Sequence, residues 1–179
     1  MPKIIENLPE TILEAANEVL LEQGFHDFSI RAVAKKSAIA PATIYNYYPS
    51  KENILEALID DTWHKLMTAI DRETEDITDP FLALEKVFTL LQQAMNPLFS
   101  HWITPEPKEM PPNHPKKQDI MAKKEQIRAD LTERIAAILR RCGQDTVHAP
   151  VFTGLFIMCS HHRQLSFQDI VTAIQSLHM

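Results

Sequence analysis

Apolar residues recur at helical spacing along most of the chain. Ile12, Ala15, Ala16, Val19 and Leu20 make one stripe, and Ile30, Val33 and Ala34 a short second one. Ile54, Leu55, Leu58, Ile59, Leu66, Met67 and Ile70 make a broad third stripe on a helix that starts at Lys51-Glu52 and closes in the acidic run from Asp71 to Asp79. Phe81, Leu84, Phe88, Leu91 and Met95 follow, and Ile120, Ile127, Leu131, Ile135, Ile138 and Leu139 form the inward face of a second long helix, Lys116 to Arg141. Alternating β-branched runs are missing and only 3 glycines occur, so the pattern predicts an all-α fold.

The punctuation agrees with the periodicity. Asn7-Leu8-Pro9-Glu10 predicts a capping box, with Asn7 capping, Glu10 reaching back and Pro9 in the first turn. Gly24 is placed to end that helix in a left-handed conformation, and the row Glu14, Glu18, Glu22 reads as a solvated face. Ser29 and Asp79 are N-cap candidates, and Ser166 with Asp169 forms a further capping box. Pro97 breaks the fifth helix ahead of a short apolar helix containing Leu98, Phe99, Trp102 and Ile103. The five prolines from Pro105 to Pro115 forbid regular structure and predict an exposed loop, either a plain connection or a gate over a pocket.

One stretch departs from ordinary surface chemistry. Between Ser29 and Lys51 the pattern predicts helix, tight turn, helix, with Pro41 opening the second helix and disfavouring helical geometry at Ala40. Ile44 and Tyr48 face inward with Ile39, which leaves Pro41, Ala42, Thr43, Tyr45, Asn46 and Tyr47 outside. A solvated helix carries Lys, Glu and Gln there, whereas small residues, two tyrosines and an amide suit close approach to a surface. Helix N-terminal N–H groups attract phosphate, hydroxyls donate to phosphate oxygens, and an amide pairs bidentately with adenine. The plainer alternative is a helical hairpin with incidental tyrosines.

The residues Phe28 to Leu55, FSIRAVAKKSAIAPATIYNYYPSKENIL, resemble the DNA-binding signature of the tetracycline-repressor (TetR) family of bacterial transcription regulators. The resemblance implies a three-helix helix-turn-helix DNA-binding domain over 1–50 and a helical ligand-binding and dimerisation domain over 51–179. It also implies phosphate contacts from Thr43, Tyr45, Tyr47 and Lys51, base contacts from Arg31, Pro41, Ala42 and Asn46, and a capping and backbone role for Ser29. Three positions depart from the family pattern: Ala38 stands for the glycine usual in the turn, Ala40 for a Ser or Thr cap, and Ala42 for a common glycine. The lost cap is worth about 1 kcal/mol.

Charge shifts the picture toward a dimer. The chain carries a net charge of -6, and up to Lys51 it has Lys3, Arg31, Lys35, Lys36 and Lys51 against Glu6, Glu10, Glu14, Glu18, Glu22 and Asp27. A head so nearly neutral needs a second copy to double its phosphate contacts. The last two helices offer the surface: Val151, Phe152, Leu155 and Phe156 on an apolar helix, then Phe167, Ile170, Val171 and Ile174. In the resembled family the last two helices form the dimer.

The expected protein is therefore a homodimer that binds a double-stranded DNA operator and answers to a small-molecule effector. Trp63, His64, Phe81, Phe88, Met95, Phe99 and Trp102 are the candidate pocket residues, suited to an apolar or aromatic ligand. A metal- or redox-responsive regulator using Cys159, His161 and His162 is the alternative, although adjacent histidines diverge on a helix. No Gly-rich phosphate loop, nucleophile elbow or HExxH occurs, so no enzyme activity and no cofactor are expected. The N-terminus lacks a basic leader before an apolar core, and no segment approaches the roughly 20 apolar residues of a membrane span. A cytoplasmic protein with no membrane association is expected.

Overall fold

The computed structural model describes residues 7–95, 117–160 and 165–176. Every regular element among them is a helix: α1 (Leu8–Asp27), α2 (Ile30–Ser37), α3 (Pro41–Tyr47), α4 (Lys51–Thr74), α5 (Pro80–Ala94), α6 (Lys117–Arg141), α7 (Ala149–Ser160) and α8 (Phe167–Ser176). Among the described residues no helix is long and apolar enough to cross a membrane. Phe99, Trp102, His161, His162 and the stretch from Pro105 to Pro115 lie outside the described residues.

Two compact units divide the chain between Thr62 and Trp63. That point lies inside α4, twelve residues beyond the boundary expected at its start. The physical reason is that Ile54, Leu55 and Leu58, like Ile12, Val33 and Ile44, are buried and fall within the first unit, so the first turns of α4 belong with that unit.

In the first unit α1 packs on α2 and α2 on α3. The N-terminal box of α1 does not form as expected. Asn7 is left-handed with φ 63° and makes no side-chain cap; its amide Nδ2 instead donates to the Glu10 carboxylate, while Thr11 N donates to Asn7 O at 3.1 Å. Near the other end Gly24, at φ 75° and ψ 176°, interrupts the helical geometry inside α1. A side-chain-bearing residue would be strained there.

In the second unit α7 packs against α5 and α6, and α8 against α5. Asp79 caps α5 by accepting from Leu82 N at 2.9 Å. Leu84, Phe88, Leu91 and Met95 are buried, but Phe81, expected in the same stripe, is 58% exposed because it stands in the first turn at the edge of the packed layer. Gly143, at φ 71°, ends α6: Gly143 N donates to Arg140 O at 3.1 Å and Gln144 N to Leu139 O at 2.9 Å, the paired bonds of a Schellman motif. The box at α8 closes in both directions, with Asp169 N donating to Ser166 Oγ at 3.2 Å and Ser166 N to Asp169 Oδ2 at 2.8 Å.

Candidate functional site

The α2–turn–α3 segment is held by three local devices. Ser29 Oγ accepts from Ala32 N at 3.2 Å and starts α2. Ser37 Oγ donates to Val33 O at 2.8 Å and accepts from Ile39 N at 3.4 Å, so one hydroxyl ties the end of α2 to the turn. Ala38 between them adopts φ 56°, ψ 26°; the turn keeps its left-handed residue although alanine replaces glycine, and the Cβ carries the strain. Nothing in the residue types singled out Ser37 for this role beyond its place ahead of the turn.

Helix α3 starts at Ala40 with no side-chain cap, and the Ala40 carbonyl accepts from Thr43 N at 2.9 Å and Ile44 N at 3.2 Å. Ile44 is fully buried and anchors the helix. Around it Pro41, Ala42, Tyr45, Asn46 and Tyr47 are exposed, the tyrosines at 50% and 47%, while Thr43 is half-buried. Tyr48 closes the helix, its N–H donating to Ile44 O at 2.8 Å. Burial pushes the Tyr48 hydroxyl pKa above the usual tyrosine value, with the Asp61 charge adding to it.

The basic groups near this face are not equivalent. Lys36 is engaged by Glu22 at 2.6 Å and Glu18 at 3.0 Å, the carboxylates of the α1 row expected to be merely solvated. Those hydrogen bonds, Glu22's first, hold its amine above the usual lysine range. Its charge is matched locally, which leaves less net positive potential for a polyanion than the sequence count suggests. Lys51 is half-buried at the start of α4, its Nζ 5.6 Å from the centre of the Phe28 ring. Ser50 caps that helix, its Oγ accepting from Asn53 N at 3.3 Å. Arg31 is exposed on α2.

The residues singled out for an effector separate into different environments. Trp63 is buried, with Nε1 donating to Asp130 Oδ2 at 3.2 Å, and His64 is exposed. Phe88 packs its ring 5.4 Å from Phe156 and 6.4 Å from Phe167. Phe81 lies on the wall of a cavity of about 330 Å³, whose other walls include Leu84, Leu139, Phe152, Phe156 and Phe167. Several residues singled out for a dimer surface thus line this cavity from within one chain.

On α7, Val151 and Met158 are well exposed and Leu155 half-buried, spaced 151, 155, 158 along one face, while Phe156 is fully buried. Ile170 and Val171 are half-buried, and the side chain of Ile174 lies outside the described residues. Cys142 and Cys159 are both free and half-buried, and Cys142 Sγ lies 3.7 Å from Ile77 O.

Comparison with known proteins places this geometry. Residues 12–58 match the model of the bacterial regulatory proteins of the tetR family. The fatty acid metabolism regulator protein of Bacillus subtilis is 35% identical over 82 residues, 46% of this chain and 41% of that one. The transcriptional regulator UidR of Escherichia coli is 32% identical over 83 residues, 46% of this chain and 42% of that one. The chain thus matches less than half the length of these relatives. The crystal structure of the regulator FadR from Bacillus subtilis in complex with stearoyl-CoA shares the fold, with a TM-score of 0.64 over 94% of this chain and 96% of that one at 18% identity. The matched segment runs from the core of α1 through the turn at Ala38 and the exposed face of α3 into α4, and over these residues the chain is similar to the tetR family of bacterial regulatory proteins.

Proposed function

We infer that the protein is a ligand-responsive DNA-binding transcription regulator. It acts as a cytoplasmic homodimer, most simply as a repressor released from a pseudo-palindromic operator by a small apolar or aromatic effector. The observation that carries this reading is the solvent-facing surface of α3, where two half-exposed tyrosines and Asn46 project from a helix pinned by the buried Ile44. Such a face supplies phosphate donors and an adenine-reading amide in one major groove. Two copies set the faces in successive grooves about one turn apart, or a multiple of that. The similar proteins named as regulators support it, and one of them is named for fatty acid metabolism, in keeping with an apolar effector.

The reading assigns DNA contact to the first unit, and effector response and dimerisation to the second. The face Val151, Leu155, Met158 supports the dimer, since one chain leaves this apolar row without cover. The test is binding of the purified protein to DNA from upstream of its own gene. A footprint of two symmetric half-sites is expected, with Asn46→Ala relaxing preference at one base position per half-site by about 1 to 3 kcal/mol. No sequence-selective footprint, or a monomer at micromolar concentration in ultracentrifugation, defeats the reading.

A further inference from the structure

The cavity of about 330 Å³ lies wholly within the second unit, between the first turns of α5, the end of α6, and helices α7 and α8. Its interior is aromatic and aliphatic: Phe156 and Phe167 are buried, as are Leu84 and Leu139. Phe81 stands at its edge, 58% exposed. That exposure is unusual for a phenylalanine, and the same side chain lines the cavity. Polar chemistry is confined to one side, where Gln144, Asp145 and His148 belong to the connection between α6 and α7. Gln144 is fixed there by its backbone bond to Leu139 O, and Asp145 by accepting from Val147 N at 2.9 Å.

These walls restrict what can bind. An apolar interior with no polar partner excludes any ligand that would bury a charge or an unpaired hydrogen-bonding group. The volume is near the lower end of small-molecule sites, roughly 300 to 1,000 Å³, which favours a compact ring system over a long chain. No lysine or arginine is among the described lining residues, and the Asp145 carboxylate stands on the polar side. A phosphate-bearing or carboxylate head group would meet like charge without a compensating cation. The polar side instead offers an amide, an imidazole and a carboxylate to a hydroxyl or amine.

We propose that this cavity is the effector site and that it takes a compact neutral aromatic compound carrying one hydroxyl or amino group, with the ring among Phe81, Phe152 and Phe156 and the polar group toward Gln144, Asp145 and His148. The proposal deepens the reading of the protein as a ligand-responsive regulator, and rests on that reading only for the consequence of binding, not for the site itself.

The experiment uses the full chain without DNA, titrated with 2-naphthol and separately with stearoyl-CoA, followed by calorimetry. One 2-naphthol per chain is expected, with no competition from stearoyl-CoA. Phe81→Ala removes the exposed ring at the mouth and lowers 2-naphthol affinity about tenfold. Gln144→Trp fills the mouth and lowers it at least as far. Both positions are exposed, so helicity and the thermal midpoint stay at wild-type values and report a folded protein. Binding of 2-naphthol unchanged in both variants, or binding of stearoyl-CoA in place of 2-naphthol, overturns the proposal. A second titration, with DNA present, separates the two readings. Loss of 2-naphthol binding with selective DNA binding intact removes this site but leaves the regulator, whereas 2-naphthol binding by a chain that selects no DNA removes the regulator and leaves the site.

Discussion

The two aromatic groups of this chain are used in opposite ways. On α3, Tyr45 and Tyr47 stand half-exposed around a single buried anchor, Ile44, and touch no other ring among the described contacts. In the second unit Phe88, Phe156 and Phe167 pack ring against ring at 5.4 to 6.4 Å, with Phe152 6.0 Å from Phe156. The first arrangement keeps hydroxyls available at the cost of packing, and the second gives up solvent contact for cohesion. Stability should accordingly reside in the phenylalanine cluster and recognition in the tyrosines, because a side chain cannot both fill a core and meet a partner.

The largest effect expected from this contrast follows from truncating one ring in each group. Phe156→Ala should destabilise the second unit by about 3 to 5 kcal/mol, through lost burial and the cavity left behind. Tyr45→Ala should change stability by no more than about 0.5 kcal/mol while weakening binding to every DNA sequence. Denaturant melts paired with fluorescence anisotropy on labelled DNA read both quantities. Tyr45→Ala melting as early as Phe156→Ala would erase the distinction.

A smaller effect sharpens the α3 side. Ala40 leaves the helix without a side-chain cap, so Ala40→Ser should add about 1 kcal/mol to stability. Its new hydroxyl also lies beside the exposed residues of α3, so DNA affinity should rise or hold. A melt unchanged by Ala40→Ser would mean that the Ala40 carbonyl, already bonded to Thr43 and Ile44, satisfies this terminus without help.

The smallest effect is a pH dependence at the opposite end of the chain. The Ser166 hydroxyl, then its backbone N–H, holds the Asp169 carboxyl below the ordinary aspartate range. A carboxylate depressed in the folded state contributes stability that is fully present above its unfolded pKa and is lost as pH falls through its folded value. The first turn of α8 should therefore hold its amide protection at neutral pH and lose it in acid, below the normal aspartate range. Hydrogen exchange of the Asp169 and Ile170 amides across that range measures this. Asp169→Asn should remove the pH dependence, and protection still falling in acid in that variant would assign it to another group.

Much of the helical layout was legible from spacing and caps. Ser29, Asp79 and the Ser166–Asp169 box cap as their residue types predict, because each device is local and needs only a hydroxyl or carboxylate three residues from an N–H. Asn7 was misleading for the same local reason: its amide offers a donor as well as an acceptor, and the donor found Glu10. The exposed face of α3 was legible too, since the period of a helix with one buried anchor leaves few alternatives. The pairing of Lys36 with Glu18 and Glu22 was not, because it joins residues fourteen or more positions apart across two helices. Nor was the cavity, whose walls come from four separate helices.

The amino-acid sequence by itself determined the helices, most of their ends and the chemistry displayed at the turn, since these follow from residue type and near-neighbour spacing. Only the tertiary structure decided which apolar stripe becomes core and which becomes surface. On α7 every face is apolar, so pattern alone cannot rank them; packing against α5 and α6 turns Phe156 inward and leaves Val151 and Met158 outside. Within the first unit, likewise, only the tertiary structure decided that Ile54, Leu55 and Leu58 in the first turns of α4 are buried. Burial is a property of what two elements do to each other, and no single element carries it alone.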